Sequence, residues 1–515
     1  MRLLLTDGTG LLGEALQRAL TSLHDVRLLD PAGGRGDPRL VDERDAGTFD
    51  TVIHRVEAPP AAPESDIEAI DRATRGPYNL LTRLQPKRFI LISSLRPFER
   101  YPARWLVTER WAPRPTTDVA DLAPFLAEAT AREVTRAIPT TAIALRFGEV
   151  VGEDAIRDGA RDPRWLHVAD AVQAVERALA LPIDNAGIEP RWFAFHVVGG
   201  GTGSRFPLAL ASQPPLSFAP ARDVTPAHLP ADLAAVDKLP APPPIPVGAH
   251  ATSRRVLILG AGGPLGAAAA TALAPDHQLR LTDVRPLAEI VAQGTPQSPG
   301  APLPKLWPPP HEHLTVDVTD AGQTAAAMDG IDIVVNCTVV RPDPIAAFLV
   351  NTIGAYNVAR AAVDRGLRRI VHTGPEQALL AHPAGYAADV DLSEDIPPRP
   401  GDNLYFVSKF LGQEICRIFA AEHALEIPAL FYSTLVEPDV SPRAPFGIHP
   451  LAISWRDAGE AIRAAVTVGS LPRPYEPFHI GVDLPHGQYR VAKASALLHW
   501  QPRDRLERHW QRAGE

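Results

Sequence analysis

The chain has 515 residues, 45% of them hydrophobic and 22% charged, so it is too long for one ordinary domain and apolar enough to bury a sizeable core, which excludes disorder and fibrous repeats. Its 51 Lys and Arg against 60 Asp and Glu leave a formal charge of -9, without the basic surplus of a nucleic-acid-binding domain. Two cysteines, Cys337 and Cys416, make neither a disulfide framework nor a thiolate zinc site, and no run approaches the roughly 18 apolar residues of a membrane span. No nucleic acid, metal or membrane is therefore expected, and the location expected is cytoplasmic.

Taken from the start, Leu3-Leu4-Leu5 is too short for a signal-peptide core and reads as a first strand. Gly8-x-Gly10-x-x-Gly13, an amphipathic helix and a second strand ending at Asp30 follow it. Residues 255–283 repeat this plan, with Gly263, Gly266 and Asp283 at one constant offset from Gly10, Gly13 and Asp30. Further on, Gly76 and Asn79 answer Gly354 and Asn357, Arg88 answers Arg369, Asp170 answers Asp457, and Phe195-His196 answers Phe478-His479. Two copies of one α/β unit are the economical reading.

Strands alternating with helices of this length predict two tandem doubly wound parallel sheets, each a Rossmann-type α/β domain. The boundaries predicted are 1–213 for the first domain and 254–515 for the second. Residues 214–253, with ten prolines between 214 and 246, read as a semi-rigid linker. A second proline-rich stretch, 286–310, reads as a surface insertion, and His311 and His313 after it as a solvated loop pair.

Gly260-Ala261-Gly262-Gly263-Pro264-Leu265-Gly266 follows a predicted strand and opens a predicted helix, where glycines let a pyrophosphate approach free backbone N–H groups. Asp283, at the end of the next strand, suits the ribose hydroxyls of NAD; Arg280 and Arg285 flank it and leave NADP open. Copy one places Asp7 where copy two has Gly260, a carboxylate that a pyrophosphate would repel.

Tyr405-Phe406-Val407-Ser408-Lys409 puts a phenol and an ammonium on one helical face, in a chain with only five lysines. A lysine charge beside a tyrosine favours phenolate, the form that accepts a proton at neutral pH. Copy one has Phe125 and Ala129 at these positions. It retains Ser93-Ser94, where copy two has Gly374-Pro375 after Thr373.

These residues resemble the extended short-chain dehydrogenase/reductase family, the NAD-dependent epimerases, dehydratases and uronate dehydrogenases. The resemblance covers nearly all of 254–512 and, more weakly, 1–212; stretches such as YSTLVEPD and ISWRDAGEAI look closest to uronate dehydrogenases. It implies that Tyr405 exchanges the substrate proton, that Lys409 supports the phenol and holds the nicotinamide ribose, and that Thr373 replaces the family's hydroxyl donor. It further implies a cofactor cradle of Gly260, Gly263, Pro264, Leu265, Gly266, Asp283, Asp317, Val318, Asn336, Thr338, Asn351 and Lys409. The function expected is an NAD(P)-dependent oxidoreductase or epimerase acting on a sugar or nucleotide-sugar through copy two, with copy one a pseudo-domain. Arg341, Arg443 and Arg456 are candidates for gripping a substrate carboxylate or phosphate. The alternative is a non-catalytic NAD(P)-binding sensor, regulator or scaffold, which the missing serine motivates. Family members pair through the helix carrying Tyr-x-x-x-Lys, and the resemblance implies an intrachain pseudo-dimer of the two copies.

Overall fold

The computed structural model describes residues 1–29, 37–41, 44, 46–56, 64–156, 161–183, 191–200, 204–222, 224, 254–376, 391–439, 452–483, 487–504 and 506. Asp30, Arg443 and residues 225–253 of the proline-rich stretch lie outside them. Two compact units divide the chain, Met1–Ala241 and Pro242–Glu515.

The first unit runs β1 (Arg2–Leu5), α1 (Gly10–Thr21), β2 (Asp25–Leu28), β3 (Thr51–Arg55), α2 (Asp66–Leu84), β4 (Arg88–Ser94), α3 (Val119–Thr135), β5 (Thr141–Phe147), β6 (Glu149–Val151), α4 (Glu153–Ile156), β7 (Trp165–His167), α5 (Val168–Ala180) and β8 (Trp192–Val197). The second runs β9 (Arg255–Leu259), α6 (Pro264–Leu273), β10 (Gln278–Asp283), α7 (Leu287–Gln293), β11 (Glu312–Thr315), α8 (Ala321–Ala327), β12 (Ile333–Asn336), α9 (Pro344–Phe348), a π-helical turn (Leu349–Ile353), α10 (Gly354–Asp364), β13 (Ile370–Pro375), α11 (Leu404–Glu422), β14 (Ile427–Tyr432), β15 (Thr434–Val436), β16 (Ala452–Ser454), α12 (Trp455–Thr467), β17 (Tyr475–His479) and α13 (Ala492–Leu498).

Both main sheets are parallel and repeat one strand order: β2-β1-β3-β4-β5-β8 in the first unit, β10-β9-β12-β13-β14-β17 in the second, with β11 added outside β10. Each unit also carries a two-stranded parallel pair, β6-β7 and β15-β16. Strands such as β9 are buried on both faces because helices cover both. Leu3, Leu5, Ile53 and Ile143 pack against α1 and α5. Val256, Ile258, Val335 and Leu430 pack likewise against α6 and α12. The predicted doubly wound arrangement is thus present in each unit.

The residues that repeat between the copies act as matching structural ties. The Asn79 amide donates to the Arg39 carbonyl at 2.7 Å, and that of Asn357 to the Val318 carbonyl at 2.9 Å, holding the loop after β2 in the first unit and the loop after β11 in the second against a helix. Arg88 donates to the Leu181 carbonyl and Arg369 to those of Val468 and Gly469, so both pin the segment leaving α5 or α12. Asp170 accepts the N–H groups of Ala221 and Arg222, and Asp457 those of Arg503 and Asp504.

This last tie corrects the predicted linker boundary. Residues 214–222 and 224 pack on the first unit, with Leu216 and Phe218 inside its core. They match the end of copy two, Leu216-x-Phe218-x-Pro220 against Leu498-x-Trp500-x-Pro502, and Ser217 and His499 share a left-handed φ of 54°. Prolines of this segment therefore close a domain, since burial of its apolar residues outweighs the bias of proline toward an extended connector. The 286–310 insertion contains α7, and His311 and His313 accept backbone N–H groups of Leu279 and Trp307.

Replacing Asp457 by Ala leaves the N–H groups of Arg503 and Asp504 without their acceptor and is expected to cost about 1–3 kcal/mol of stability. Urea unfolding of the full chain, followed through Trp500 fluorescence, checks this.

Candidate active site

At the carboxyl edge of the second sheet, β9 ends in a turn that only glycine can make. Gly260 has φ 80°, and a Cβ on Gly266 would lie 2.2 Å from the Gly260 carbonyl oxygen, so β9 and α6 meet closely enough to leave the first N–H groups of the helix facing outward. Gly263 caps α6, Pro264 occupies its first turn, and that turn carries no acidic residue. A pyrophosphate fits such an end, through free donors and the positive end of the helix dipole.

Asp283 borders this cradle. Its Oδ2 accepts the Gly262 N–H at 3.0 Å, and burial raises its carboxyl above the ordinary range. Arg280 is drawn away, bonded to Glu312 and to the carbonyls of Ala327 and Asp329. Only Arg285 remains of the two arginines that left a 2′-phosphate open, and it lies toward Gln293.

Asp317 and Val318 lie beyond β11, where the Asn357 amide holds the chain and the Asp317 carboxylate accepts the Thr319 N–H. Asn336 accepts the N–H and the hydroxyl of Thr338 at 3.1 and 2.7 Å. Asn351, in the π-helical turn, bonds both backbone groups of Val340 and the hydroxyl of Ser408. One amide thereby ties the loop after β12 to α11, and insertions of this kind in helices often mark functional places.

Tyr405 and Lys409 stand in the first turns of α11, which Asn403 caps by accepting the N–H groups of Tyr405 and Phe406. Lys409 is 3% exposed and donates to the carbonyls of Thr338 and Thr373 at 2.8 and 3.3 Å. Burial lowers its ammonium to about 8, and the neighbouring Cys337 thiol is pushed up to about 12.

Two expectations about this pair change. The positive charge acting on the Tyr405 phenol is that of Arg341, whose guanidinium carbon lies 5.1 Å from the ring centroid; Lys409 is directed instead at the two carbonyls. Burial holds the phenol above the ordinary tyrosine range, and Arg341 opposes that shift. Thr373 does not act as the substitute donor, because its hydroxyl donates to the Asn336 carbonyl at 2.9 Å inside the sheet. A Cβ at Gly374 would meet the Gln413 amide at 2.3 Å, so a side chain there would need that amide to turn away. Arg456 pairs with Asp504, near the surface.

The groove of the first unit is occupied by its own ion pairs. Asp7 accepts the N–H and hydroxyl of Thr9 and binds Arg55 at 2.7 Å, at the turn where a pyrophosphate would lie. Arg39 is held by Asp37 and Asp71 in the place corresponding to Val318. Glu128 takes a two-pronged bond from Arg146 and a 2.7 Å bond from Ser93 on the strand that corresponds to β13. Sequence reading found Asp7 but not these partners, because Arg55 reaches Asp7 from a neighbouring strand, β3, and Arg146 on β5 reaches Glu128 on helix α3.

These features define a Rossmann-type dinucleotide-binding unit with a tyrosine–lysine pair beside its cradle. A model of the NAD dependent epimerase/dehydratase family matches residues 256–460. L-arabinose 1-dehydrogenase (NAD(P)(+)) of Haloferax volcanii is 30% identical over 197 residues, 36% of this chain and 68% of the relative. NAD-dependent glucose-6-phosphate dehydrogenase of the same organism is 26% identical over 260 residues, 48% of this chain and 93% of the relative. Uronate dehydrogenase from Agrobacterium tumefaciens, a solved structure, is 25% identical with a TM-score of 0.40, covering 50% of this chain and 87% of its own. The chain belongs to the NAD dependent epimerase/dehydratase family.

Gly266→Ala is expected to lower thermal stability by about 1–3 kcal/mol and to abolish nucleotide binding, since the added carbon pushes α6 off β9; calorimetric melting and titration with NAD check both. Lys409 has a folded value near 8 against an ordinary 10.5, so in that window the unfolded chain binds more protons and stability rises with pH as the burial penalty is relieved. The stability difference between wild type and Lys409→Met should therefore shift in favour of wild type between pH 8 and 10.5, read by urea unfolding.

Proposed function

We propose that the chain is an NAD-dependent dehydrogenase or epimerase of a sugar or nucleotide-sugar hydroxyl, working through its second unit. The observation that carries this reading is the placement of Tyr405, at the head of α11, beside a loop that Asn351 ties to that helix and whose start, Cys337 and Thr338, lies against Gly260 of the glycine cradle. Among the residues of the cradle, Asp283 would hold the adenosine ribose and disfavour a 2′-phosphate, and the N–H groups opening α6 would take the pyrophosphate. Bound there, the dinucleotide supplies hydride transfer at its nicotinamide ring.

Tyr405 holds and moves the substrate proton at its Oη. Lys409, fixed by two carbonyls, presents its charge along the wall of the groove and suits the nicotinamide ribose. The names of the relatives, an arabinose, a glucose-6-phosphate and a uronate dehydrogenase, support a sugar as the substrate class. We read the first unit as a duplicated copy that has lost its nucleotide, because three ion pairs stand in its groove.

A second reading, a non-catalytic NAD-binding regulator, draws on one observation: β13 ends in Gly374-Pro375 with the Thr373 hydroxyl already committed. Turnover decides between the two. Assays with uronic acids, aldoses and sugar phosphates should show NAD reduction that Tyr405→Phe lowers by about a hundredfold to ten-thousandfold, with NAD affinity retained; NAD binding without turnover of any sugar supports the regulator. Equilibrium dialysis should find one NAD per chain, and still one after Gly260→Asp is combined with Asp7→Gly only if removing Asp7 reopens the first groove.

A further inference from the structure

Arg341 has no counterpart in the roles drawn from the family resemblance. It lies on the loop after β12, directly following Val340, whose N–H and carbonyl are both bonded to Asn351. Because Asn351 also bonds Ser408, three residues along α11 from Tyr405, the base of the Arg341 side chain is held relative to the phenol. Its guanidinium lies over the Tyr405 ring, 5.1 Å from carbon to centroid, close enough for its charge to favour the phenolate.

On the opposite wall, the end of β13 offers no free side-chain hydroxyl. Gly374 and Pro375 carry no hydroxyl, and that of Thr373 bonds the Asn336 carbonyl. An oxygen reacting at Tyr405 would therefore meet no side-chain donor from β13. We propose that Arg341 supplies the donor and the positive charge at the reacting oxygen, in the place of the missing strand-end hydroxyl and of the Lys409 ammonium.

This rests on the dehydrogenase reading above. In the oxidation direction the substrate hydroxyl gives its proton to the Tyr405 phenolate, the carbon–hydrogen bond leaves with its electron pair to the nicotinamide, and the carbon–oxygen bond becomes a carbonyl. Arg341 donates N–H bonds to that oxygen throughout and keeps its own protons, so the balance needs no further reactant. A guanidinium suits the task because it stays charged and presents several donors in one plane.

Described charged groups near this edge have partners or neighbours of their own. Lys409, one turn along the same helix, is directed at Thr338 and Thr373. Asp343, two residues past Arg341, caps α9 through the N–H groups of Ile345 and Ala346. Glu376, next after Pro375 and buried, has Glu394 and Tyr489 as its neighbours.

The test uses the full chain with Arg341→Met, Arg341→Lys and Tyr405→Phe. Ultraviolet difference titration without nucleotide should show one phenol absent in Tyr405→Phe, and that phenol should ionise at higher pH in Arg341→Met and nearer wild type in Arg341→Lys. With sugar and NAD, Arg341→Met should lose about a hundredfold to a thousandfold in kcat, keep its NAD affinity, and regain part of the rate with added guanidinium. A raised KM for anionic sugars with unchanged kcat and an unmoved phenol would overturn the proposal and make Arg341 a substrate clamp. If the wild-type chain binds NAD and turns over no sugar, the dehydrogenase reading fails, and an unmoved phenol in Arg341→Met then rejects the Arg341 assignment on its own.

Discussion

The approach of Gly266 to the carbonyl of Gly260 governs the second unit. No side-chain carbon fits between them, so β9 and α6 stand at the distance that turns backbone N–H groups outward and places Asp283 against Gly262. The parallel order of the sheet brings the loop after β12 and the end of β13 to the same edge, and α11 then lays Tyr405 beside them.

The first unit keeps the same constraint and a different pocket. A Cβ on Gly13 would sit 2.4 Å from the carbonyl carbon of Gly8, so its turn is equally tight. The amide, arginine and aspartate ties recur at matching places in both units, which shows that what the copies share is scaffold. In the groove they diverge. Asp7 accepts donors that a phosphate would have taken, and Arg55 and Arg146 neutralise Asp7 and Glu128. A buried carboxylate without its cation costs several kcal/mol, so each acidic residue at these places is structurally bound to its arginine.

In the second unit, burial works against the usual partnership of phenol and ammonium. Lys409 lies too deep to stay fully protonated far above neutrality, and its ammonium is directed at two carbonyls. The exposed guanidinium of Arg341 lies over Tyr405 instead. A lysine ammonium is more sensitive to desolvation than a guanidinium, which is why burial bears on Lys409.

Residue pattern alone disclosed the two α/β units, the parallel sheets, the glycine turns and the Tyr-x-x-x-Lys spacing on one helix, because strand and helix periodicities and glycine spacing are local properties. It also marked Gly374-Pro375 as a gap, since a missing hydroxyl is visible in a string of letters. It misplaced the end of the first domain, where proline content outweighed the match of Leu216-x-Phe218 to Leu498-x-Trp500. Only the tertiary structure decided that Thr373 faces Asn336, that Arg341 covers Tyr405, and that Arg55 and Arg146 fill the first groove. Those are contacts between residues far apart in the chain, and their partners are chosen by which strand ends the sheet order brings together, a property that no local spacing encodes.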